Sequence, residues 1–406
     1  MGDQQIIRDL AEQVAALAAR PEQQRRRDLW RCHHGYQQVG VPLHVSWGMA
    51  TNEIIVPQLR CEDPFFRRHE CTLRGALFHA GIDDDHILEP WLRVRPHFQH
   101  RGDGPWGLAP SYGRDAASGG YHIDPPITDL DNQSGLQAPQ HVIDERASAE
   151  QLNRLQEAVG DHLPVFLDRS PAVQTSLSAD LGKLVGIEPI LYALYDEPEE
   201  LHRLMAFLRD GVLAAWDAAQ AAGDLRSADG RNQAFCYSPE LPDPDPSSPC
   251  DMSQLWCFME AQEFTAIAPA QREEFILAYQ KPIMERFGLA AYGCCDDLTP
   301  MIPALLEIPN LRRISITPAA DIARCAEQIG DQRICSWRPN PSRCACVGFD
   351  ENGLRRYLRE SLAIFRANDC QVDITLKDVA TVQHEPERLI RFARIVREIC
   401  VEGLPA

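Results

Sequence analysis

Two adjacent cysteines followed by two aspartates stand out in this 406-residue sequence, in the segment Tyr292-Gly-Cys-Cys-Asp-Asp. A thiolate can bind Zn²⁺ or attack an electrophile, and a nearby helix N-terminus lowers a thiol pKa. By the two-residue period of a strand, Tyr292 and Cys294 share one face, which makes Cys294 the stronger candidate of the pair. Cys295 either packs outward or joins it in a turn. The alternative is a pair of buried thiols without chemistry.

Polar side chains also follow several apolar runs that we predict as strands. They are Tyr237 and Glu240, Ser315 and Asp321, Arg338 and Asn340, and Lys377 and Asp378. Two further acids, Glu260 and Glu263, lie on a helix that we predict over 255–264, and Glu263 interrupts its apolar face. A solvated helix face is the alternative for these two acids.

The elements that must position these residues alternate between strand and helix. Apolar runs lie at 163–167, 233–237, 289–292, 313–316, 333–337 and 372–376, and helical patterns lie at 147–159, 198–222, 252–264, 272–287, 298–307, 321–329, 351–367 and 385–401. Repeated βα units of this size predict a parallel sheet covered by helices. Without a Walker-type phosphate loop, a closed (β/α)8 barrel of the TIM type fits better than a doubly wound sheet. Such a barrel places its chemistry at the carboxyl ends of the strands.

The chain before these units differs in pattern. Ile6, Leu10, Val14 and Leu17 recur at helical spacing, and a second helical run follows at 23–32. We therefore predict an N-terminal helical arm over residues 1–40 and a barrel over 41–406. Within the barrel, residues 101–134 are rich in Gly, Pro, Asp and Ser, which predicts a long loop.

The overall composition limits the partners and the compartment. Formal net charge is −19, so the surface field repels nucleic acid and anionic membranes. No run approaches the roughly 18 apolar residues of a membrane span, and the N-terminus lacks the pattern of a signal peptide. We expect a cytoplasmic protein whose fourteen cysteines are mostly free thiols.

Four segments together resemble the uroporphyrinogen decarboxylase-like superfamily, over roughly residues 160–401. They are Tyr292-Gly-Cys-Cys-Asp-Asp-Leu298, Ile308-Pro-Asn-Leu-Arg-Arg-Ile-Ser-Ile-Thr-Pro318, Arg338-Pro-Asn-Pro341, and Leu376-Lys-Asp378 with Thr381. Within the superfamily, the chain looks most like an uncharacterised branch near the methyltransferases that serve corrinoid proteins and coenzyme M. The arginine-rich N-terminal signature by which the decarboxylases bind their substrate is missing.

The resemblance implies a central cleft that holds either a porphyrinogen or a zinc-activated thiol. The methyltransferases carry His-x-Cys where this chain has Tyr292-Gly-Cys294, and a second cysteine near the position of Lys377-Asp378. Of the cysteine and histidine positions of these methyltransferases, only the one at Cys294 has the same residue type in this chain. Zinc would therefore need Cys295, Asp296 or Asp378 as further ligands, and Zn²⁺ accepts carboxylates beside thiolates.

Our leading hypothesis from the sequence is a methyltransferase with metal assistance. In it Cys294, Cys295 and Asp296 bind zinc, while Tyr292, Lys377 and Asp378 are catalytic. The substrate-binding candidates are Tyr237, Glu260, Glu263, Arg338 and Asn340. The methyl group moves between a small-molecule substrate and a thiol carrier or a corrinoid, the latter borne by a separate protein because the chain has no cobalamin motif.

Two other functions stay open at this point. One is a metal-free decarboxylase or lyase for a small carboxylate or a tetrapyrrole, with Arg338, Lys377 and Asp378 as its charged groups. The other is a binding barrel that has lost its chemistry, because fold does not imply function. A homodimer is an open alternative to a monomer.

Overall fold

The computed structural model describes residues 2–37, 39–114, 121–228, 236–346 and 348–402. Its strands are β1 (Leu43–Val45), β2 (Leu92–Val94), β3 (Ser111–Arg114), β4 (Tyr121–Asp124), β5 (Val165–Leu167), β6 (Trp256–Met259), β7 (Leu289–Tyr292), β8 (Leu311–Ile316), β9 (Ile334–Trp337) and β10 (Val372–Leu376). Its helices are α1 (Asp3–Ala18), α2 (Pro21–His34), α3 (Thr51–Ile54), α4 (Pro64–His79), α5 (Glu145–Val159), α6 (Ser178–Val185), α7 (Ile187–Asp196), α8 (Pro198–Ala221), α9 (Pro269–Arg272), α10 (Ala278–Met284), α11 (Ile302–Leu306), α12 (Ile322–Ile329), α13 (Pro341–Cys344), α14 (Glu351–Ala367) and α15 (Glu387–Glu402).

Six of these strands form one curled parallel sheet, in the order β1-β10-β9-β8-β7-β6. The first strand therefore pairs with the last, and Leu43, His44 and Val45 lie opposite Ile374, Thr375 and Leu376. A second parallel pair, β2 and β5, is separate from this sheet, and β3 and β4 form an antiparallel hairpin within the predicted long loop. The α/β class and the parallel sheet are confirmed, but the hydrogen bonds of the described strands do not close an eight-stranded barrel.

Two aspartates cover the side of β1 that faces away from β10. The carboxylate of Asp85 accepts the amide N–H of Leu43, and that of Asp84 accepts the N–H of Val45. The amide of Asp85 in turn donates to the carbonyl of Leu43. Because buried backbone groups need partners, these carboxylates replace the bonds that a neighbouring strand would make. The segment before β2 thereby separates β1 from β2.

The strand β6 corrects the helix predicted over 252–264. Trp256-Cys-Phe-Met259 is a fully apolar run of four residues that pairs in parallel with β7. A short apolar run can be a buried strand or part of a buried helix, and periodicity cannot separate the two. The correction matters for function, because Glu260 now follows a strand end. The strand predicted over 233–237 lies mostly outside the described residues, since 229–235 are not described.

The N-terminal residues do form two helices that pack on the rest of the molecule. Apolar side chains of α1 from Ile6 to Val14 share a cluster with Phe65 of α4 and Leu155 of α5. In α2 both His33 and His34 are fully buried. Ring contacts of Trp30 with both imidazoles fill this region.

Three further features bear on the sequence-based expectations. The run Gly102-Asp-Gly-Pro-Trp-Gly107 has the spacing Gly-x-Gly-x-x-Gly, but it lies in a loop that no helix follows, so it lacks the context of a dinucleotide site. All fourteen cysteines are free thiols. No described helix combines the length and the apolarity that crossing a membrane requires.

Candidate functional site

A cavity of about 1410 Å³ lies against the inner face of the curled sheet. Alternate residues of neighbouring strands line it, since side chains at every second position share a face. Among them are Phe258, Ala291, Ser315, Ser336 and Thr375. Its charged lining residues are Arg93, Arg95, Arg313, Arg338 and Lys377 with Glu89, Asp168, Glu260 and Asp378. The cavity is therefore nearly balanced in charge, in contrast to the net charge of −19 for the chain.

The two cysteines after β7 meet the lysine and the aspartate after β10 at this cavity. Lys377 Nζ lies 3.1 Å from Sγ of Cys294 and 3.4 Å from Sγ of Cys295. The two sulfurs are 3.6 Å apart. Oδ2 of Asp378 lies 3.4 Å from Cys295 Sγ and 3.5 Å from Lys377 Nζ. Four predicted site residues thus form one hydrogen-bonded cluster, which we call the thiol–lysine cluster.

This cluster makes Cys294 acidic for a thiol. A hydrogen bond from the Cys295 thiol, helped by the Lys377 ammonium, lowers the pKa of Cys294 to about 6 from the ordinary 9.0, although burial opposes the shift. The same hydrogen bond raises the pKa of Cys295, which keeps its proton. With a pKa near 6, about nine tenths of the Cys294 side chains are thiolate at pH 7. The arrangement therefore presents one nucleophilic sulfur to the cavity.

Arg338 fixes the turn that carries the cysteines. Its guanidinium donates to the carbonyl oxygens of Cys294, at 2.7 Å, and of Gly293, at 3.2 Å. The residue is 7% exposed. Predicted as a substrate-binding residue, Arg338 lines the cavity, but two of its nitrogens hold the backbone under the nucleophile. It is thus a positioning residue in this geometry.

Gly293 explains why Tyr292 and Cys294 do not share a face, although strand periodicity predicts that they do. The backbone at Gly293 has φ +105°, a left-handed conformation that interrupts the alternation of side chains after β7. Tyr292 therefore points away from Cys294: its ring belongs to the main apolar core, and its hydroxyl donates to Gln280 at 2.7 Å. The expectation that Tyr292 and Cys294 share a face is wrong. Among the described side chains that line the cavity, the neighbouring Ala291 takes the place expected for Tyr292.

We expect Gly293→Ala to destabilise the protein and to disturb the cysteine turn. A Cβ at this position would lie 2.6 Å from Leu298 Cδ1 and 2.9 Å from Ser315 Cβ, in addition to the unfavourable φ. The combined strain should cost about 1–3 kcal/mol of unfolding free energy, measured by urea denaturation. The matched control is Gly48→Ala, since a Cβ there meets no heavy atom within 4 Å. Equal stability of the two variants would contradict this account of the turn.

The carboxylate of Asp296, the third predicted zinc ligand, is bound by other groups of the protein. It is fully buried, its Oδ2 pairs with Arg272 at 3.0 Å, and its Oδ1 accepts the amide of Cys294 at 3.2 Å. The ammonium of Lys377 meanwhile lies within hydrogen-bond distance of both sulfurs, where a bound cation would be repelled. The donor set around Cys294 and Cys295 therefore does not fit zinc.

Glu260 follows β6 and lines the same cavity. Its Oε1 accepts from Ser178 Oγ, and its Oε2 accepts from the amide of Gln262, both at 3.0 Å. Burial, with a contribution from the charge of Glu263, raises the pKa of Glu260 to about 7. A carboxyl group with this pKa can exchange a proton near neutral pH, as general acid–base groups do.

The raised pKa of Glu260 predicts a pH dependence of stability. The unfolded carboxyl ionises above its ordinary pKa of 4.5, whereas the folded one keeps its proton up to about 7. Folding stability should therefore fall as pH rises from about 4.5 to 7, by up to ~3 kcal/mol from this group. We expect Glu260→Gln to lose this slope when urea unfolding is measured across that range. Parallel curves for the variant and the wild type would contradict the assignment.

The remaining predicted residues lie apart from the thiol–lysine cluster or face away from the cavity. Tyr237 lines the cavity, but its hydroxyl donates to Glu89 at 2.6 Å and accepts from Arg27 at 2.9 Å. Asn340 caps α13 through the amide of Ser342. Glu263 packs against Gly182 beside the cavity. Neither Asn340 nor Glu263 is a lining residue.

Sequence reasoning also missed three histidines at the cavity: His44, His69 and His86. They come from β1, from α4 and from the segment before β2, so no spacing rule connects them.

No family model matches the chain, and no curated protein sequence matches it. Among solved structures, a methyltransferase from Methanosarcina mazei is similar, with a TM-score of 0.53 and 10% sequence identity. The similarity covers 91% of this chain and 98% of the other. At this identity the likeness establishes a shared fold over nearly the whole length of both proteins.

Proposed function

We propose that this chain is a methyltransferase of the uroporphyrinogen decarboxylase-like superfamily, built on an eight-stranded (β/α)8 barrel, whose reacting group is the Cys294 thiolate. The observation that carries the proposal is the ammonium of Lys377, 3.1 Å from Cys294 Sγ, at the edge of the cavity. The four sequence segments and the fold shared with a methyltransferase support the superfamily. The thiol–lysine cluster supports a nucleophile in place of a metal centre.

The proposed chemistry is a displacement at a methyl carbon. A lone pair of Cys294 Sγ attacks the methyl group, the new S–C bond forms, and the bond from carbon to the leaving atom breaks with its electron pair. Cys295 keeps its proton and donates a hydrogen bond to Cys294, while Lys377 balances the negative charge before the attack. Nucleophilic catalysis of this kind divides one difficult transfer into two easier steps.

The groups that stabilise the Cys294 thiolate also favour the second step, in which the methyl group leaves Cys294. A thiolate with a pKa near 6 is a better leaving group than an ordinary thiolate, because Lys377 and Cys295 stabilise the charge that returns to sulfur. A strongly nucleophilic carrier can therefore take the methyl group from Cys294. Our candidate carrier is a corrinoid borne by a separate protein, and the small-molecule methyl donor remains to be identified. Zinc held by Cys294, Cys295 and Asp296 has no part in this proposal, because the donor set around the two sulfurs does not fit the metal.

Carboxylate-directed lyase chemistry has less support from the cavity. Arg338 is occupied by two carbonyl groups, and Lys377 by two sulfurs. Arg93 and Arg95 both lie near Asp168, at 3.7 and 3.2 Å. A small carboxylate would have to displace one of these partners.

The test follows a labelled methyl group onto the protein. Purified wild-type protein is incubated with deuteromethyl-labelled methylcobalamin, which runs the second step in reverse and releases cob(I)alamin, and its peptides are analysed by mass spectrometry. We expect the label on Cys294, with none at this position in Cys294→Ser and retained labelling of Cys294 in Cys295→Ser. Labelling that is random among the fourteen cysteines, or absent, would overturn the proposal.

A further inference from the structure

A compact group of three imidazoles lies beside β1, outside the thiol–lysine cluster. Within the described residues, His44, His79 and His86 are the only group of three or more His, Cys, Asp or Glu side chains whose ligand atoms all lie within 4.8 Å of one another. The rings of His79 and His86 are stacked with centroids 3.8 Å apart, and that of His44 is 5.6 and 5.5 Å from them. Three side chains from three different segments therefore converge on one point.

A carboxylate orients this group. Oδ2 of Asp84 lies 2.9 Å from Nε2 of His79 and 3.7 Å from Nδ1 of His44. An imidazole that donates from Nε2 to a carboxylate leaves its lone pair on Nδ1, and this carboxylate–histidine pairing is typical of metal sites. Asp84 is itself held by the amides of Val45 and His86. The orienting group is thus fixed by the backbone of two of the three segments.

The imidazoles lie in a desolvated environment that also contains a cationic side chain. Desolvation, with the nearby charge of Arg26, lowers the pKa of His79 to about 3, and burial beside His79 lowers that of His86 to about 3. Burial lowers the pKa of His44 as well, although Asp84 opposes it. Arg26 would oppose a bound cation, and Asp84 would offset that repulsion.

We propose that His44, His79 and His86 form a binding site for a divalent transition-metal ion, zinc by preference, with an open coordination position toward the cavity. Three imidazoles and one exchangeable position form the ligand set of catalytic zinc sites. His44 and His86 line the cavity, which accounts for the open side. The rings of His79 and His86 are nearly parallel, and a nitrogen lone pair lies in its ring plane, so binding requires these two rings to turn until their lone pairs converge on the ion.

The site shares its cavity with the proposed nucleophile. His44 lies opposite Thr375 in the register of β1 and β10, two residues before Lys377 on the same face of the sheet. A zinc ion there would bind or polarise an oxygen or nitrogen atom of a molecule that also reaches Cys294. The inference is independent of the proposed methyl transfer, since it depends on the imidazoles alone.

The experiment is a titration of metal-free protein with zinc chloride, followed by calorimetry. We expect one zinc per chain and at least tenfold weaker binding in His44→Asn and in His86→Asn. His69→Asn is the matched control, because His69 is a buried histidine that lines the same cavity outside the group, and its binding should be unchanged. Zinc should also raise the melting temperature of the wild type, since binding stabilises the native state.

A spectrum of the wild type keeps the test decisive if a variant fails to fold. Cobalt chloride should give the visible bands of nitrogen-ligated Co²⁺ without the near-ultraviolet charge-transfer band of a Co²⁺–thiolate bond. A thiolate band, or binding that survives the histidine changes and disappears in Cys294→Ser with Cys295→Ser, would place the metal at the thiols and overturn the inference. Absence of zinc binding would also overturn it and would mark the three rings as a structural stack. Labelling of Cys294 by methylcobalamin is measured separately, so each proposal can fail alone.

Discussion

Lys377→Met is expected to raise the pKa of Cys294 from about 6 toward the ordinary thiol value of 9.0. The substitution removes the ammonium that lies 3.1 Å from the sulfur and keeps a side chain of similar length. Each unit of pKa changes the thiolate fraction tenfold where the thiol form dominates, so the rate of alkylation at pH 7 should fall by roughly tenfold. The measurement is the rate of iodoacetamide labelling of Cys294 as a function of pH, with the labelled peptide identified by mass spectrometry.

The direction of the pH profile follows from the sign of the shift. In the wild type the thiolate forms as pH rises through about 6, so labelling should fall to half its plateau near that pH. In Lys377→Met the midpoint should move to higher pH while the plateau rate stays similar. Lys281→Met is the matched control, because this partly exposed lysine pairs with Glu307 at 3.9 Å, outside the thiol–lysine cluster, and should leave the midpoint unchanged. An unchanged midpoint in Lys377→Met would contradict the proposed role of the ammonium.

The neighbouring cysteine offers a second comparison. The hydrogen bond from Cys295 is the largest cause of the low pKa of Cys294. Cys295→Ala removes this donor and should raise the midpoint, whereas Cys295→Ser keeps a hydroxyl donor and should preserve most of the effect. Identical midpoints for these two variants would show that the pair acts through something other than this hydrogen bond.

Arg272→Met is expected to destabilise the fold by about 3–5 kcal/mol, because it leaves a buried carboxylate without its partner. Arg272 is 2% exposed and Asp296 is fully buried, and their side chains meet at 3.0 Å. The substitution also removes the bond from Arg272 to the carbonyl of Asp297, at 3.0 Å. The free energy of unfolding in urea measures the loss.

Two further variants separate the buried pair from ordinary surface charge. Arg286→Met breaks an ion pair with Asp217 whose side chains are 41% and 49% exposed, and it should cost under ~1 kcal/mol. Arg272→Met with Asp296→Leu removes both buried charges, and it should recover part of the loss. A loss in Arg272→Met no larger than that in Arg286→Met would show that Asp296 is stable in the core without its partner.

The sequence predicts the strands that carry the cysteines well, for a physical reason. The strands β7 to β10 are short runs rich in apolar residues that lie between helical segments, a pattern that a buried parallel sheet produces. Because the carboxyl ends of such strands share one edge, the meeting of Cys294 and Cys295 with Lys377 and Asp378 follows from the predicted order of elements.

What escaped prediction depends on single backbone angles and on contacts between distant segments. The direction of Cys294 relative to Tyr292 is decided by the positive φ of Gly293, which strand periodicity does not include. The strand β6 has the same composition as a short buried helix, so Glu260 was placed on the wrong element. The role of Arg338 depends on hydrogen bonds to the backbone carbonyl groups of Gly293 and Cys294. A pattern of side chains in the sequence does not reveal such backbone contacts.

The aspartates that cover β1 have a consequence for the behaviour of the protein at high concentration. An edge strand with unpaired amides can recruit a strand from another molecule and begin aggregation. On β1 the amides of Leu43 and Val45 are instead bound by the carboxylates of Asp85 and Asp84. A carboxylate accepts hydrogen bonds but has no N–H group that could donate to a strand of another molecule. The β-sheet pairing therefore ends at these two aspartates. The break in the sheet thereby protects the β1 edge from pairing with a strand of another molecule.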